Sequence, residues 1–318
     1  MCDRKRKITV IGNSVVDVLA CPVTEEVFRT GSSPAKDIKL SFGGDALNEA
    51  VILSRFGCEV DLVSKLGKDE AGARILNFLE DNGISTGHMV ISPGTDTSVN
   101  IVLIDETGER HFLTNPKGSQ RKLCVEDIDP YLDDAADIVS FASIFVSSAL
   151  DTGAMAELFQ KIKEKPGRIL AADMTKAKNG EKLEDLKEFL PYVDYLFPNE
   201  EEIALLTGCS EADVNAGLLI EAGVSCAVIK RGREGCLIRT KEETYHIPAY
   251  PVEKCMDTTG AGDCFAAGFL WALSEGFALP DCGRFACAAA SCAVESMGAT
   301  DGIVSLEEPL KRYREIPL

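Results

Sequence analysis

The chain has 318 residues, 45% of them hydrophobic, and a formal net charge of −18. That length holds one large α/β domain or two smaller ones, no apolar run is long enough to cross a membrane, and the acidic balance speaks against nucleic acid, whose phosphates call for a basic surface. The 12 cysteines form no C-x-x-C pair and the three histidines are scattered, which suits reduced, buried thiols rather than a metal centre. The basic N-terminus runs directly into the strand-like Ile8-Thr9-Val10-Ile11 without a signal-peptide core, so a cytoplasmic protein with no membrane partner is expected.

Residues 7–12 read as a short buried strand, followed by Asn13-Ser14-Val15-Val16-Asp17. A polar turn after a first strand is where α/β proteins place ligand-contacting side chains. Asp17 is therefore a candidate contact, with a turn or capping aspartate as the equal alternative. Ile38-Lys39-Leu40-Ser41-Phe42 alternates as a strand does, then breaks at Gly43-Gly44-Asp45-Ala46-Leu47-Asn48. The spacing of Ala50, Leu53 and Phe56 predicts a helix ending at Gly57. Residues 59–64 read as another strand, and 71–82 as a helix stopped at Gly83. Two strand-like runs, 98–104 and 110–114, are joined by Asp105-Glu106-Thr107-Gly108-Glu109 as a hairpin. With 18–22 and 38–42 they predict a small separate sheet, one face of which must cover something other than the main core. From residue 137 onward strands (137–142, 169–173, 192–197, 227–230) alternate with helices (such as 155–165 and 200–206), which implies a mainly parallel sheet covered on both faces. No linker or repeat interrupts residues 1–318, which read as a single α/β domain with an inserted sheet.

Three polar clusters stand out in the second half. Pro198-Asn199-Glu200-Glu201-Glu202 enters a helix; acids there suit the helix dipole, and the run of glutamates leaves open which one faces inward. Lys230-Arg231-Gly232-Arg233-Glu234-Gly235 follows an apolar strand but lacks the G-x-G-x-x-G spacing of a dinucleotide fold. Asp257-Thr258-Thr259-Gly260-Ala261-Gly262-Asp263 runs into an apolar stretch, 264–273, that reads as a helix buried on every face. Glycines let bare N–H groups approach a ligand closely, and a helix N-terminus is an anion site because its first N–H groups are unpaired. At the mouth of that site Asp263 is placed to take a proton from a hydroxyl. On G-A-G-D alone, an N-capping aspartate is the plainer reading. Residues 281–297, crowded with Ala, Cys and Ser, read as a closely packed helix.

The whole D-T-T-G-A-G-D string, together with G-G-x-x-x-N-x-A at 43–50 and then Gly57 and Gly67, resembles the two signatures of the PfkB, or ribokinase-like, family of sugar and nucleoside kinases. The likeness extends over nearly the whole chain. It implies the ribokinase-like α/β fold, a mainly parallel central sheet flanked by helices, with the small β-sheet as a lid over sugar and often a dimer surface. The lid strands would be drawn from about 14–42 and 96–116. By the same likeness Asp263 is the catalytic base, and the backbone of Gly260, Ala261 and Gly262 is the anion hole. Asp17, Gly43, Gly44 and Asn48 line the sugar pocket, with Asp45 either a further acceptor or turned to solvent. Asn199 and Glu202 fit the N-x-x-E pattern that positions magnesium, usually through water. Lys230 falls near the ATP phosphates, and Gly232 and Gly235 shape the nucleotide loop. Ser296-Met297-Gly298-Ala299, with the backbone near Asp257, resembles the loop that holds a monovalent cation such as K⁺ in some relatives. Ribokinases carry Asn two residues before the first Asp; this chain has Val15, which weakens a specific assignment to ribose.

The expectation is therefore an ATP- and Mg²⁺-dependent kinase acting on a hydroxyl of a small sugar. A nucleoside kinase of the same fold is the alternative, with Phe42, Phe112 or neighbouring lid residues forming a slot for the base. Phosphorylated sugars rank lower, since Arg110 and Lys117 are the only obvious lid cations. A non-catalytic sugar-binding regulator is disfavoured by the intact glycine turn and Asp263. The resemblance also allows a homodimer through the lid, with the oligomeric state left open.

Overall fold

Short runs rich in β-branched residues, bounded by turn formers, become strands because such side chains fit a pleated, buried surface. The computed structural model describes residues 7–106 and 109–316. In chain order the strands are β1 (Lys7–Ile11), β2 (Val15–Cys21), β3 (Asp37–Gly43), β4 (Glu59–Gly67), β5 (Met89–Ser92), β6 (Val99–Ile104), β7 (Arg110–Thr114), β8 (Ile138–Ile144), β9 (Ile169–Met174), β10 (Tyr195–Phe197), β11 (Cys226–Lys230), β12 (Cys236–Arg239) and β13 (Thr244–Ile247). The helices are α1 (Glu26–Thr30), α2 (Asp45–Arg55), α3 (Glu70–Asp81), α4 (Val125–Ile128), α5 (Thr152–Lys163), α6 (Glu200–Thr207), α7 (Ala212–Glu221), α8 (Ala261–Ser274), α9 (Leu279–Ala293) and α10 (Glu307–Glu315).

Nine strands form one sheet in the order β13-β12-β11-β10-β9-β8-β1-β4-β5, parallel except for β12 and β13, which pair antiparallel at one edge. Successive residues of each strand point to opposite faces. Ile8, Val10, Ala171, Phe197 and Val228 pack with α2, α8 and α9, whereas Ile11, Phe141, Leu170, Leu196 and Ile229 pack with α5, α6 and α7. The predicted parallel sheet with two covered faces is thus present. Helix α8 is buried from Cys264 to Ala272, as its uniform apolarity foretold. Gly268 lets it lie close against α9: a Cβ there would stand 2.9 Å from Ala289 Cβ.

The chain passes from β1 outward to β4 and β5, then returns through β8 to the other side of β1. In open α/β sheets such a reversal opens a crevice beyond the carboxyl ends of the strands. Asn13 follows β1, Asp173 lies near the end of β9, Asn199 follows β10 and Lys230 ends β11, so the sheet delivers all four to that crevice.

The second sheet has the order β3-β2-β6-β7, parallel between β2 and β6 and antiparallel elsewhere. These are the four runs expected to stand apart from the main core. The connection between β6 and β7 closes through Asp105 N–H to Glu109 O at 3.0 Å; Thr107 and Gly108 of the expected turn lie outside the described residues, as do the basic residues 1–6. Register places Ser41, Asp17, Asn100 and Thr114 side by side, then Lys39, Leu19, Val102 and Phe112 in the next row on the same face.

The structure departs from the sequence reading at its edges. Strands β5, β12 and β13 and helices α7 and α10 were not anticipated. Strands β12 and β13 are four residues each and carry Arg239, Thr244 and His246, which break the apolar run that marks a buried strand. Strand β10 begins at Tyr195 rather than at 192, because Leu190–Tyr192 forms a 3-10 turn around Pro191. Among the described residues no single helix is long and apolar enough to cross a membrane.

Candidate active site

Helix α8 starts at a glycine for two reasons. Gly260 takes φ +73°, and a Cβ on it would lie 2.3 Å from Ala299 O. No side chain caps the helix, so the capping reading of Asp263 does not hold. Its carboxylate instead accepts a hydrogen bond from Asn48 Nδ2 at 2.6 Å. Asn48 sits in the first turns of α2 and is 4% exposed, and its Oδ1 is buried without a partner.

The double glycine before α2 brings strand and helix together. A Cβ on Gly43 would come within 2.8 Å of Asp17 Oδ2, and Gly44 takes φ +99°, where a Cβ would stand 2.6 Å from the Asn13 carbonyl oxygen. Asp17 accepts from Asn100 Nδ2 at 2.9 Å, and Asn100 Oδ1 is likewise buried and unpartnered. Burial pushes the Asp17 pKa up, against the pull of Asn100 and the Arg110 guanidinium. Asp17, Gly43, Asn48 and Asp263 are therefore joined through these contacts, with two orphaned amide oxygens. Such oxygens ask for donors, and hydroxyl groups supply them. Sequence reading missed Asn100; its signal was a polar residue at an inward position within the apolar alternation of 98–104.

Beyond Asp263 the crevice continues as a cavity of about 970 Å³, whose walls include Asp45, Asp173, Lys230, Gly235, Tyr250 and Val294. Lys230 Nζ donates to both carboxylate oxygens of Asp173, at 2.8 and 2.6 Å. A Cβ on Gly262 would lie 3.3 Å from that ammonium, so the charge stands against the first turn of α8. Burial lifts Asp173 to about 7 even with Lys230 beside it. Lys230 is itself raised, because Asp173 and Glu202 outweigh its burial. Asp173 is a second residue that sequence reading passed over, as an ordinary strand end.

Asp45 does not point to solvent: it accepts from the Ser143 hydroxyl, whose oxygen also lies 3.1 Å from Asn13 Oδ1. The Asp263 pKa stands well above the usual carboxylate range, first through burial and then through the Asp45 and Asp173 charges, with Asn48 and Lys230 opposing. Asn199 and Glu202 bond each other's backbone N–H at 2.8 Å in a capping box that starts α6, and both also line the cleft. Gly232 takes φ +54°, and a Cβ on Gly235 would stand 1.9 Å from Ile247 O, so the turn after β11 folds tightly under β13. Asp257 accepts from Thr259 N–H at 3.0 Å, Gly298 N–H at 2.9 Å and the Arg110 guanidinium.

Among the described residues, the grouping of carboxylate and imidazole atoms close enough to hold a bare metal ion is Asp105, Glu109 and His111, on the small sheet and outside the cleft. The cleft carboxylates suit a hydrated cation instead. Asp45, Asp173, Glu202 and Asp263 all have raised pKa values from burial, a cost that positive charge on a ligand would relieve. Chemically, the arrangement can draw a proton from a hydroxyl at Asp263 and hold a polyanion on the α8 N–H groups and Lys230.

Glu49, beside Asn48, is fully buried; Ser140 Oγ donates to its Oε2 at 2.7 Å and Oε1 has no partner. Burial drives its pKa well up, and the Asp173, Asp263 and Asp45 charges add to the rise. The folded chain thus keeps a proton that the unfolded chain releases above the ordinary glutamate range, so this group's contribution to stability falls as pH rises through that window. Glu49→Gln removes the linkage. Its melting temperature should match the parent at about pH 4 and exceed it by roughly a few degrees at about pH 8. A lower melting temperature at the higher pH would contradict the assignment of a neutral Glu49.

Residues 5–305 match the family described as pfkB family carbohydrate kinase. The chain is 30% identical over 256 residues to an uncharacterized sugar kinase of Archaeoglobus fulgidus, covering 79% of this chain and 97% of that one. It is 30% identical over 310 residues to a nucleoside kinase of Methanothermobacter thermautotrophicus, covering 97% and 96%. Among solved structures, Arabidopsis thaliana ribokinase complexed with ribose and ATP superposes with a TM-score of 0.82 at 23% identity, covering 98% of this chain and 99% of that one.

Proposed function

The chain belongs to the pfkB carbohydrate kinase family, and from that premise we propose that it transfers the γ-phosphate of ATP to a hydroxyl of a small neutral sugar. The observation that carries this reading is the Asp263 carboxylate, held by Asn48 between the Asp17 pocket and the Lys230 end of the cleft. The acceptor lies against Asp17, Asn48 and Asn100, with Gly43 and Gly44 allowing it close to the backbone. The small sheet stands over it as a lid. ATP occupies the long cleft, its phosphates on the N–H groups of Gly260, Ala261 and Gly262 and beside Lys230, with Gly232 and Gly235 turning the loop past the nucleotide. Asp263 takes the acceptor proton as the oxygen attacks phosphorus in line. Magnesium carried on the phosphates would offset their charge, and Asn199 and Glu202 are the residues proposed to hold its water shell. The cytoplasm, where ATP is supplied, is the proposed location.

A nucleoside acceptor is the second reading, favoured by one observation. Phe112 is 55% exposed and shares the inner face of the small sheet with Asp17, one row away beside Leu19 and Val102. An aromatic shelf at that spacing suits a flat ring attached to a sugar. Phe42 is not available for that purpose, since it stacks on Phe78 of α3 at 4.7 Å. ADP release measured across pentoses, hexoses, keto-acids and nucleosides separates the readings: turnover with free sugars supports the first, and turnover confined to nucleosides replaces it with the second. On the opposite face Ile38, Leu40, Ile101 and Leu113 are exposed, and we assign that face to a second copy of the chain. A single-chain mass by sedimentation would overturn the dimer.

A further inference from the structure

Arg110 begins β7 on the inner face of the small sheet, paired with Ile104. Its guanidinium crosses to Asp257, 147 residues further along the chain, where the two side chains are only 16% and 5% exposed. Asp257 is a junction. Oδ1 accepts from Thr259 N–H at 3.0 Å, and Oδ2 accepts from Gly298 N–H at 2.9 Å as well as from Arg110. One carboxylate thus ties together a strand of the small sheet, the turn that opens α8 and the 296–299 loop. The turn has little latitude, because Gly260 follows Thr259 directly and sits against the Ala299 backbone.

We infer that Arg110 is a positioning residue, a latch that completes the phosphate-binding turn only while the small sheet is docked on the main domain. The inference rests on the kinase reading above and adds a coupling to it. The same sheet supplies Asp17 and Asn100 to the acceptor pocket. An acceptor that holds the sheet down therefore also holds Arg110 on Asp257, and the N–H groups of residues 260–262 are set for phosphate when a hydroxyl is present to receive it. Whenever the sheet lifts, Arg110 leaves Asp257 and the turn loosens, so an acceptor that makes lifting rarer also disfavours transfer to water. The latch also bears on the monovalent cation. A carboxylate has about four acceptor positions; here three are filled by the bonds above and the charge is matched by a guanidinium. The Asp257 side chain accordingly does not fit a bare K⁺, and Arg110 supplies the positive charge at that point.

The test compares the parent with Arg110→Met and, should that variant fold poorly, Arg110→Gln. Hydrogen exchange of the amides of residues 258–263 needs no substrate; it should speed up ~10-fold or more when the latch is removed, as a local opening would. Turnover with the acceptor found by the panel should fall ~10–100-fold, the scale of a misplaced reacting group, with smaller changes in either KM. Added guanidinium should restore part of that turnover, which a purely structural defect would not allow. Unchanged exchange, or turnover within about twofold of the parent, overturns the latch. A parent that phosphorylates no acceptor would overturn the kinase reading instead, and the exchange result separates the two failures.

Discussion

Asp263→Asn is expected to lower turnover ~10²–10⁴-fold while leaving acceptor binding nearly intact, the usual range for a positioned general base. The substitution keeps the size of the side chain and a hydrogen-bonding partner for Asn48 but cannot accept the proton. The pH profile gives a second, independent reading. Burial, with the Asp45 and Asp173 charges behind it, holds the Asp263 carboxyl well above the usual range in the unliganded protein. The base works only when deprotonated, so kcat/KM should fall tenfold per pH unit on the acid side, from an inflection above the ordinary aspartate value of about 3.9. Asp263→Asn should abolish that limb along with most of the rate. Turnover within a few-fold of the parent would remove Asp263 from the chemistry.

Lys230→Met should damage both catalysis and stability, and the two can be told apart. Losing the cation proposed to stand beside the transferring phosphate is expected to lower turnover ~10²–10³-fold, as loss of an oxyanion-stabilising group does. The variant also strands Asp173, whose side chain is 6% exposed. Removing one partner of a buried ion pair costs about 3–5 kcal/mol when the other charge is left uncompensated. The sign with pH follows from Asp173, lifted to about 7 in the folded parent by burial. A carboxylate raised on folding favours the folded state most at low pH and loses that advantage as pH rises towards its folded pKa. Without Lys230 the folded pKa rises further, so the loss continues at higher pH. The melting-temperature gap between parent and variant should widen from about pH 6 to about pH 8. Adding Asp173→Asn should close most of that gap without returning activity. A gap that is constant with pH would mean that the pair is not the origin of the instability.

Much of this was legible in one dimension because the information is local. The all-round apolar run 264–273 requires a buried helix wherever it lies, and the glycines before it require close backbone approach, so α8 and its turn followed from residue types alone. The four runs of the small sheet were equally plain, since alternation within a short strand is a property of adjacent residues. The edge strands β12 and β13 were hidden for the converse reason. Their outer residues are polar, and only the pairing of β12 with β11 and of β13 with β12 makes them strands.

The roles of individual side chains depended on contacts between distant segments. Asn48 and Asp263 meet across 215 residues, Asp17 and Asn100 across 83, Asp173 and Lys230 across 57. Nothing local distinguishes Asp263 from a helix cap, Asp173 from an ordinary strand end, or Arg110 from a surface cation. By itself the sequence determined the layered α/β architecture, the glycine turn and the separate small sheet, because periodicity and backbone freedom are encoded residue by residue. Tertiary structure alone decided which carboxylates face one another, which amide oxygens are left without donors and which cation reaches Asp257. Those outcomes arise from burial and from through-space charge, and both exist only once the chain has closed on itself.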